Sequence, residues 1–398
     1  MNPFIYQTEP TFFALLGEGL AEWGAAELQD IGVQSIKEGY RGFYFEAQPE
    51  TLYRMLYTTR LFSRVLAPLI RFDCHSVKYL YRRIHETPWE RFMTPDHTFA
   101  VQAVTTHSAI RHSRHAALTV KDAIADRFRE QCGRRPNVDT RAPDIALHLF
   151  LQHNHAVCSL DLSGGSLHRR GYREHAVEAP MQETLAAAMV RASGWSGDRP
   201  LVDPFCGSGT LLAEAWMVAC QIPSGYLRTK WGLQFLPDFD KHLWRAVTEK
   251  MNGRIDVPGE CSLRGSDKEG AAVMAARANL ARLPEGSRIH IEQADFQSLK
   301  GWNDTLILSN PPYGVRLGQQ AQAASTLKLF GDFLKQRCAG SEACIFFGDQ
   351  ASVKTLGLKP SWQRAVRNGG LDGRLCHYNL FAGPADQQRR FSKKPVRG

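Results

Sequence analysis

Apolar spacing changes character along the chain near residue 181. Beyond that point short apolar runs alternate with segments of helical spacing. The pattern predicts a helix over 182–192, a short strand ending at Asp203, a helix over 210–220 and a loop and helix across 221–260. It continues with strand 262–267, helix 269–280, strands 289–293 and 306–309, helix 327–336, and strands 343–347 and 375–380. Strands alternating with helices predict an α/β fold with a doubly wound, mostly parallel sheet. Before residue 181 the spacing is that of α+β units. Residues 19–28 read as helix and 42–46 as strand; 98–104 alternate apolar and polar positions; 145–151 and 156–162 read as a hairpin. Between those strands, 118–130 carries helical spacing through Val120, Ile124 and Phe128. The expected organisation is a small unit over 1–45, a second over 46–162, a connector over 163–180, the α/β domain over 181–385 and a basic, unstructured tail over 386–398.

Charge narrows the partner. The 398 residues carry a formal net charge of +9, and 11 of the 14 histidines lie before residue 181. A basic chain suits a polyanion. Nine cysteines without a Cys-x-x-Cys pair argue for a reducing compartment and against a disulfide framework or zinc ribbon. His112 with His115, and His153 with His155, have the spacing of metal pairs but lack third and fourth ligands, so no metal is expected. There is no secretion signal at the N-terminus and no apolar run of about 18 residues, so a cytoplasmic protein without membrane spans is expected.

Two motifs carry the chemistry. Asp203-Pro204-Phe205-Cys206-Gly207-Ser208-Gly209-Thr210 follows a strand and opens a helix. Gly207 and Gly209 let the backbone approach a ligand, and the helix start offers unpaired N–H groups to a carboxylate. Asp203 is placed to meet an ammonium group, Asp267 at the next strand's end to accept from ribose hydroxyls, and Asp295 to accept from an adenine amine with Phe296 packed on the ring. A third glycine at dinucleotide-binding spacing is missing. About a hundred residues on comes Asn310-Pro311-Pro312-Tyr313-Gly314. The Asn310 side-chain oxygen and the Pro311 carbonyl can accept both hydrogens of an exocyclic amine. Pro312 stiffens the backbone, and Tyr313 offers a face for a stacked base. Together the motifs predict S-adenosyl-L-methionine-dependent methylation of a nucleobase amine. Cys206 could suggest a covalent nucleophile, but no base partner accompanies it.

Further segments resemble the bacterial THUMP-domain methyltransferases, in particular the RlmL-like 23S rRNA guanine-N2 methyltransferases. They include Val120-Lys121-Asp122-Ala123-Ile124, Arg135-Pro136-Asn137-Val138-Asp139, Asp161-Leu162-Ser163-Gly164-Gly165-Ser166-Leu167-His168, Arg170-Gly171-Tyr172-Arg173 and Glu183-Thr184-Leu185-Ala186-Ala187-Ala188. The resemblance implies an N-terminal ferredoxin-like region, a THUMP RNA-binding domain over 46–162 and a Rossmann-like class I methyltransferase domain. It implies N2-methylguanosine in 23S ribosomal RNA as the product, with Thr184 joining the cofactor site. Lys121, Arg134, Arg135, Arg169, Arg170, Tyr172 and Arg173 are the expected RNA contacts. Some relatives add a second, 7-methylguanine-forming domain; with a single motif pair here, that activity is expected to be absent. Val315-Arg316 departs from the commoner acidic residue before the Arg. Three alternatives stay open: adenine-N6 methylation of DNA, which the Asn-Pro-Pro-Tyr motif serves equally well; guanine-N2 methylation of tRNA; and a non-catalytic binding protein, against which an intact Asn310 argues.

Overall fold

The N-terminal amphipathic segments pair into a single mixed sheet. In the computed structural model, which describes residues 3–175, 181–312 and 320–381, this first unit comprises residues 1–16, 24–169 and 223–253. Its strands are β1 (Thr11–Leu16), β2 (Gln34–Gly39), β3 (Gly42–Glu46), β4 (Phe62–Asp73), β5 (Thr98–Thr106), β6 (Asn137–Val138), β7 (Ile145–Gln152) and β8 (His155–Asp161). They lie in the order β2-β3-β1-β4-β8-β7-β5-β6. The join is β4, which pairs antiparallel with β1 on one side and β8 on the other. Its register with β8 shifts between Pro68 and Ile70, because a proline has no N–H to give the ladder. In β1, Phe12, Ala14 and Leu16 are buried while the alternate positions are half-buried. The helix Ser113–Cys132 buries Val120, Ile124 and Phe128, the positions its spacing marks, and stops at Gly133 with φ of 71°.

Residues 223–253, inside the 181–385 stretch of the sequence, pack with this first unit. Trp231 lies 6.1 Å from the Tyr57 ring and 5.1 Å from Trp244, and the Ser224 hydroxyl donates to the Thr59 carbonyl at 2.6 Å.

The second unit, residues 17–23, 170–222 and 254–398, holds β9 (Leu201–Asp203), β10 (Leu263–Asp267), β11 (His290–Gln293), β12 (Leu306–Ser309), β13 (Glu342–Phe347), β14 (Trp362–Asn368) and β15 (Leu371–Asn379). Their order is β11-β10-β9-β12-β13-β15-β14. The strands from β11 to β13 run parallel, and β15 runs antiparallel to both β13 and β14. From β9 the chain winds outward to β10 and β11, then crosses back to β12 on the other side of β9. Strand order therefore reverses between β9 and β12, where open α/β sheets bind ligands. On one face Val202, Ile307, Phe330, Ile345 and Phe347 form the core. The helix Thr210–Ala219 is buried over most of its length, and it hides a carboxylate. Glu214 is 0% exposed, with the Arg170 guanidinium at 3.2 Å and the Tyr172 hydroxyl at 3.1 Å.

Removing one partner of such a pair leaves the other buried and uncompensated. Glu214→Ala is therefore expected to lower stability by about 3–5 kcal/mol, read as a fall in the urea midpoint. An unchanged midpoint would show that the ion pair does not hold this helix.

Candidate active site

Three strand ends converge at the point of reversal. Asp203 closes β9 and is 1% exposed. Its Oδ1 accepts the Phe205 N–H at 3.1 Å and the Ser309 hydroxyl at 3.0 Å. Ser309 ends β12, so this hydrogen bond spans the gap between the two strands. Burial pushes the Asp203 carboxyl up to about 7, and the neighbouring Asp267 acts in the same direction.

Asp267 closes β10 and uses both oxygens. Oδ2 accepts the Gly207 N–H at 2.9 Å, and Oδ1 accepts the Glu269 N–H at 3.0 Å. One carboxylate thus holds the glycine loop and starts the helix Gly270–Leu280. The loop is fastened again where the Cys206 N–H donates to the Ser266 carbonyl at 3.0 Å. Gly207 has φ of 52° and Gly209 of 81°. A Cβ at Gly209 would lie 3.2 Å from the Ala276 Cβ, so both conformation and space call for glycine. The first N–H groups of helix Thr210–Ala219 lack intrahelical acceptors and face this loop.

Asn310 follows β12 directly. Its Oδ1 is buried and has no hydrogen-bond partner among the described residues. An unpaired buried acceptor costs about 1–3 kcal/mol, a cost that a donor on a bound molecule removes. Pro311 is buried and Pro312 exposed; Tyr313 lies outside the described residues.

The other expected site residues fall in different surroundings. Pro204 is buried and Phe205 half-buried. Cys206 is 5% exposed, and burial holds its thiol well above the usual range, which suits an inert loop residue rather than a nucleophile. Thr184 is 7% exposed within the helix Glu183–Ala192, and the Thr210 hydroxyl accepts from Arg173 Nη2 at 2.9 Å. Asp295 is half-buried and caps the turn Phe296–Ser298 by accepting the Gln297 N–H at 2.9 Å. The expectation for Phe296 is corrected. At 3% exposure its ring is a core residue among Phe205, Phe330 and Phe333, with centroids at 5.2, 5.3 and 5.7 Å.

The expected RNA contacts divide. Arg134, Arg135 and Arg169 are exposed. Arg134 pairs with Asp96, and Lys121 with Asp122 at 2.5 Å. For Arg170 and Tyr172 the expectation is corrected: both are 1% exposed and bound to Glu214. Arg173 is directed inward as well, donating to the Met181 carbonyl at 2.7 Å and lying 3.5 Å from the Glu183 carboxylate. Sequence reading overlooks Ser309, Glu214 and Asn279. The signal available for Glu214 is a charged residue inside an otherwise largely apolar helix. Among the described residues no group of three or more His, Cys, Asp or Glu side chains is arranged to hold a metal, and no helix is long and apolar enough to cross a membrane.

A Rossmann-like sheet ending in an antiparallel pair, with a glycine loop and strand-end carboxylates beside an Asn-Pro-Pro segment, defines a class I methyltransferase. Residues 170–377 match the family described as RMKL-like, methyltransferase domain, residues 74–161 a THUMP domain and residues 11–66 an RlmL ferredoxin-like domain. The chain belongs to this RMKL-like methyltransferase family. A protein of Synechocystis sp. named as a putative RNA methyltransferase is 35% identical over 381 residues, covering 96% of this chain and 99% of its own. The ribosomal RNA large subunit methyltransferase K/L of Syntrophotalea carbinolica is 36% identical over 93% of this chain, which spans only 53% of that relative's length. A crystal structure of a putative methyltransferase complexed with SAH superposes with a TM-score of 0.80 at 24% identity, covering 97% of this chain and 100% of that one; at that identity the likeness is one of fold. The glycine loop, with positive φ at Gly207 and Gly209, and the two strand-end carboxylates fit S-adenosyl-L-methionine, the cofactor expected from the sequence.

The buried Asp203 has a stability consequence. Its folded-state pKa, about 7, lies above the ordinary aspartate value of about 3.9. The folded protein therefore keeps a proton that the unfolded chain has lost, and stability from this group, full below about pH 4, falls by about 1.4 kcal/mol per unit up to about 7. Asp203→Asn is expected to be more stable than wild type in the cofactor-free protein at pH 8, with the gap shrinking toward pH 4. Denaturation curves that keep a constant gap across this range would contradict a carboxyl buried in this state.

Proposed function

We propose that the chain is an S-adenosyl-L-methionine-dependent RNA methyltransferase that modifies the exocyclic N2 amine of a guanine in 23S ribosomal RNA. The observation that carries the reading is the buried, unpartnered Oδ1 of Asn310 at the end of β12, next in sequence to the serine that hydrogen-bonds Asp203. An acceptor held there can take one hydrogen of a planar amine, and the Pro311 carbonyl can take the other. With both hydrogens fixed, the nitrogen lone pair is turned out of the ring's conjugation. The cofactor supplies an electrophilic methyl group on a sulfonium centre. As the nitrogen–carbon bond forms, the carbon–sulfur bond breaks and its electron pair stays on sulfur. The resulting ammonium gives a proton to water or a carboxylate, so no base of tuned pKa is required. Asp203 takes the cofactor's ammonium group and Asp267 its ribose hydroxyls, with Gly207, Gly209 and Thr210 against its carboxylate.

An RNA substrate is supported by the net charge of +9 and by the THUMP match over residues 74–161. Large-subunit RNA is favoured by the name of the K/L relative, although this chain covers about half of it. Exposed Arg134, Arg135 and Arg169 are the side chains proposed to meet phosphate.

Asn310→Ala is expected to leave S-adenosylhomocysteine affinity within about twofold, since the Oδ1 it removes is proposed to meet the base amine rather than the cofactor, and to collapse kcat at saturating cofactor and RNA. Mass spectrometry of nucleosides from 23S rRNA, tRNA and DNA incubated with enzyme and labelled cofactor identifies the product. Label in N2-methylguanosine of 23S rRNA is the expected result. Label only in N6-methyladenine, or wild-type kcat in Asn310→Ala, would overturn it.

A further inference from the structure

The glycine loop is also held from behind, by a residue remote from it in sequence. Asn279, 1% exposed near the end of helix Gly270–Leu280, uses its whole hydrogen-bonding capacity on backbone. Its Nδ2 donates to the Ser208 carbonyl at 3.0 Å and to the His175 carbonyl at 2.9 Å. Its Oδ1 accepts the N–H groups of Glu174 at 3.0 Å and His175 at 3.1 Å. Two donors and two acceptors are thereby satisfied, the full complement of an amide side chain. Ala276, one turn earlier on the same helix, is the residue that a Cβ on Gly209 would meet.

Further ties of residues 170–175 run to the same neighbourhood. Arg170 and Tyr172 hold Glu214 in the helix that follows the loop. Arg173 donates to the Thr210 hydroxyl, the first residue of that helix. Glu174 pairs with Arg282, just beyond the helix that carries Asn279. The strap begins directly after Arg169, where the chain leaves the first unit.

We propose that Asn279 is a positioning residue that makes the conformation of the glycine loop depend on the strap 170–175, so that cofactor binding and ordering of the strap favour one another. The proposal rests on the loop being the cofactor site. The coupling passes through one amide: a ligand that fixes the Ser208 carbonyl fixes Asn279, and with it the Glu174 and His175 amides. Linkage is reciprocal, so whatever orders the strap raises cofactor affinity by the same factor.

Hydrogen exchange on the full-length wild-type protein, with and without S-adenosylhomocysteine, tests this without a variant. The Glu174 and His175 amides are expected to exchange several-fold more slowly in the ligand's presence. In Asn279→Ala that response should vanish and affinity by calorimetry should fall about tenfold, the worth of an ordinary hydrogen bond or two. KM for the cofactor should rise more than kcat falls. If the ligand binds to wild type and the strap amides are unchanged, the coupling is wrong while the cofactor site stands. If calorimetry shows no binding to wild type, the site assignment itself fails.

Discussion

A carboxylate buried at the reversal of strand order governs the catalytic half of this protein. Asp203 lies in a short parallel strand flanked on both sides, so little water reaches it. A backbone N–H and the Ser309 hydroxyl offset part of the lost hydration. Neither is a cation, and the carboxyl holds a proton far more readily than an exposed aspartate. In so poorly hydrated a setting a fixed charge acts strongly on whatever arrives. The geometry that makes this buried carboxyl costly to the fold would also favour a positively charged group beside it, a familiar exchange of stability for function.

Much of this half was legible because its chemistry sits at strand ends. The central parallel strands β9, β12 and β13 are mostly apolar runs, and β9, β10 and β12 run out into Asp203, Asp267 and Asn310. The loop glycines announce themselves by type. What escaped reading has physical causes. β2 and β14 are largely polar edge strands, and β4 contains a proline, so none shows a clean alternation. Arg170 and Tyr172 look like a basic, base-stacking surface until Glu214, 42 to 44 residues away, is brought against them. Phe296 adjoins a plausible ligand-binding aspartate, but its ring completes a cluster whose members Phe330 and Phe333 come from a later helix. No local pattern marks residues 223–253 as returning to the first unit. Which arginines lie at the surface was least legible, since an arginine run looks alike whether solvated, paired or buried.

The second unit keeps its polar groups in two tiers. At the strand ends are groups with capacity to spare for a ligand, above all the Asn310 oxygen. Behind the loop are Glu214 and Asn279, whose bonding is spent inside the protein. A satisfied inner tier makes the outer one possible: a loop carrying two residues of positive φ keeps its shape only if its carbonyls and amides are held elsewhere.

The shared strand β4 bears on how such chains can be assembled or cut. Because β1 pairs along Phe62–Leu66 and β8 along Leu66–Asp73 of one continuous strand, the ferredoxin-like and THUMP segments are not beads on a string. Severing the chain within this strand, or transplanting one segment without the other, would bare a long ladder of unpaired backbone groups, a template for aggregation. Within this chain the two segments thus form one piece of sheet, and a cut that spares the ladder has to fall outside β4.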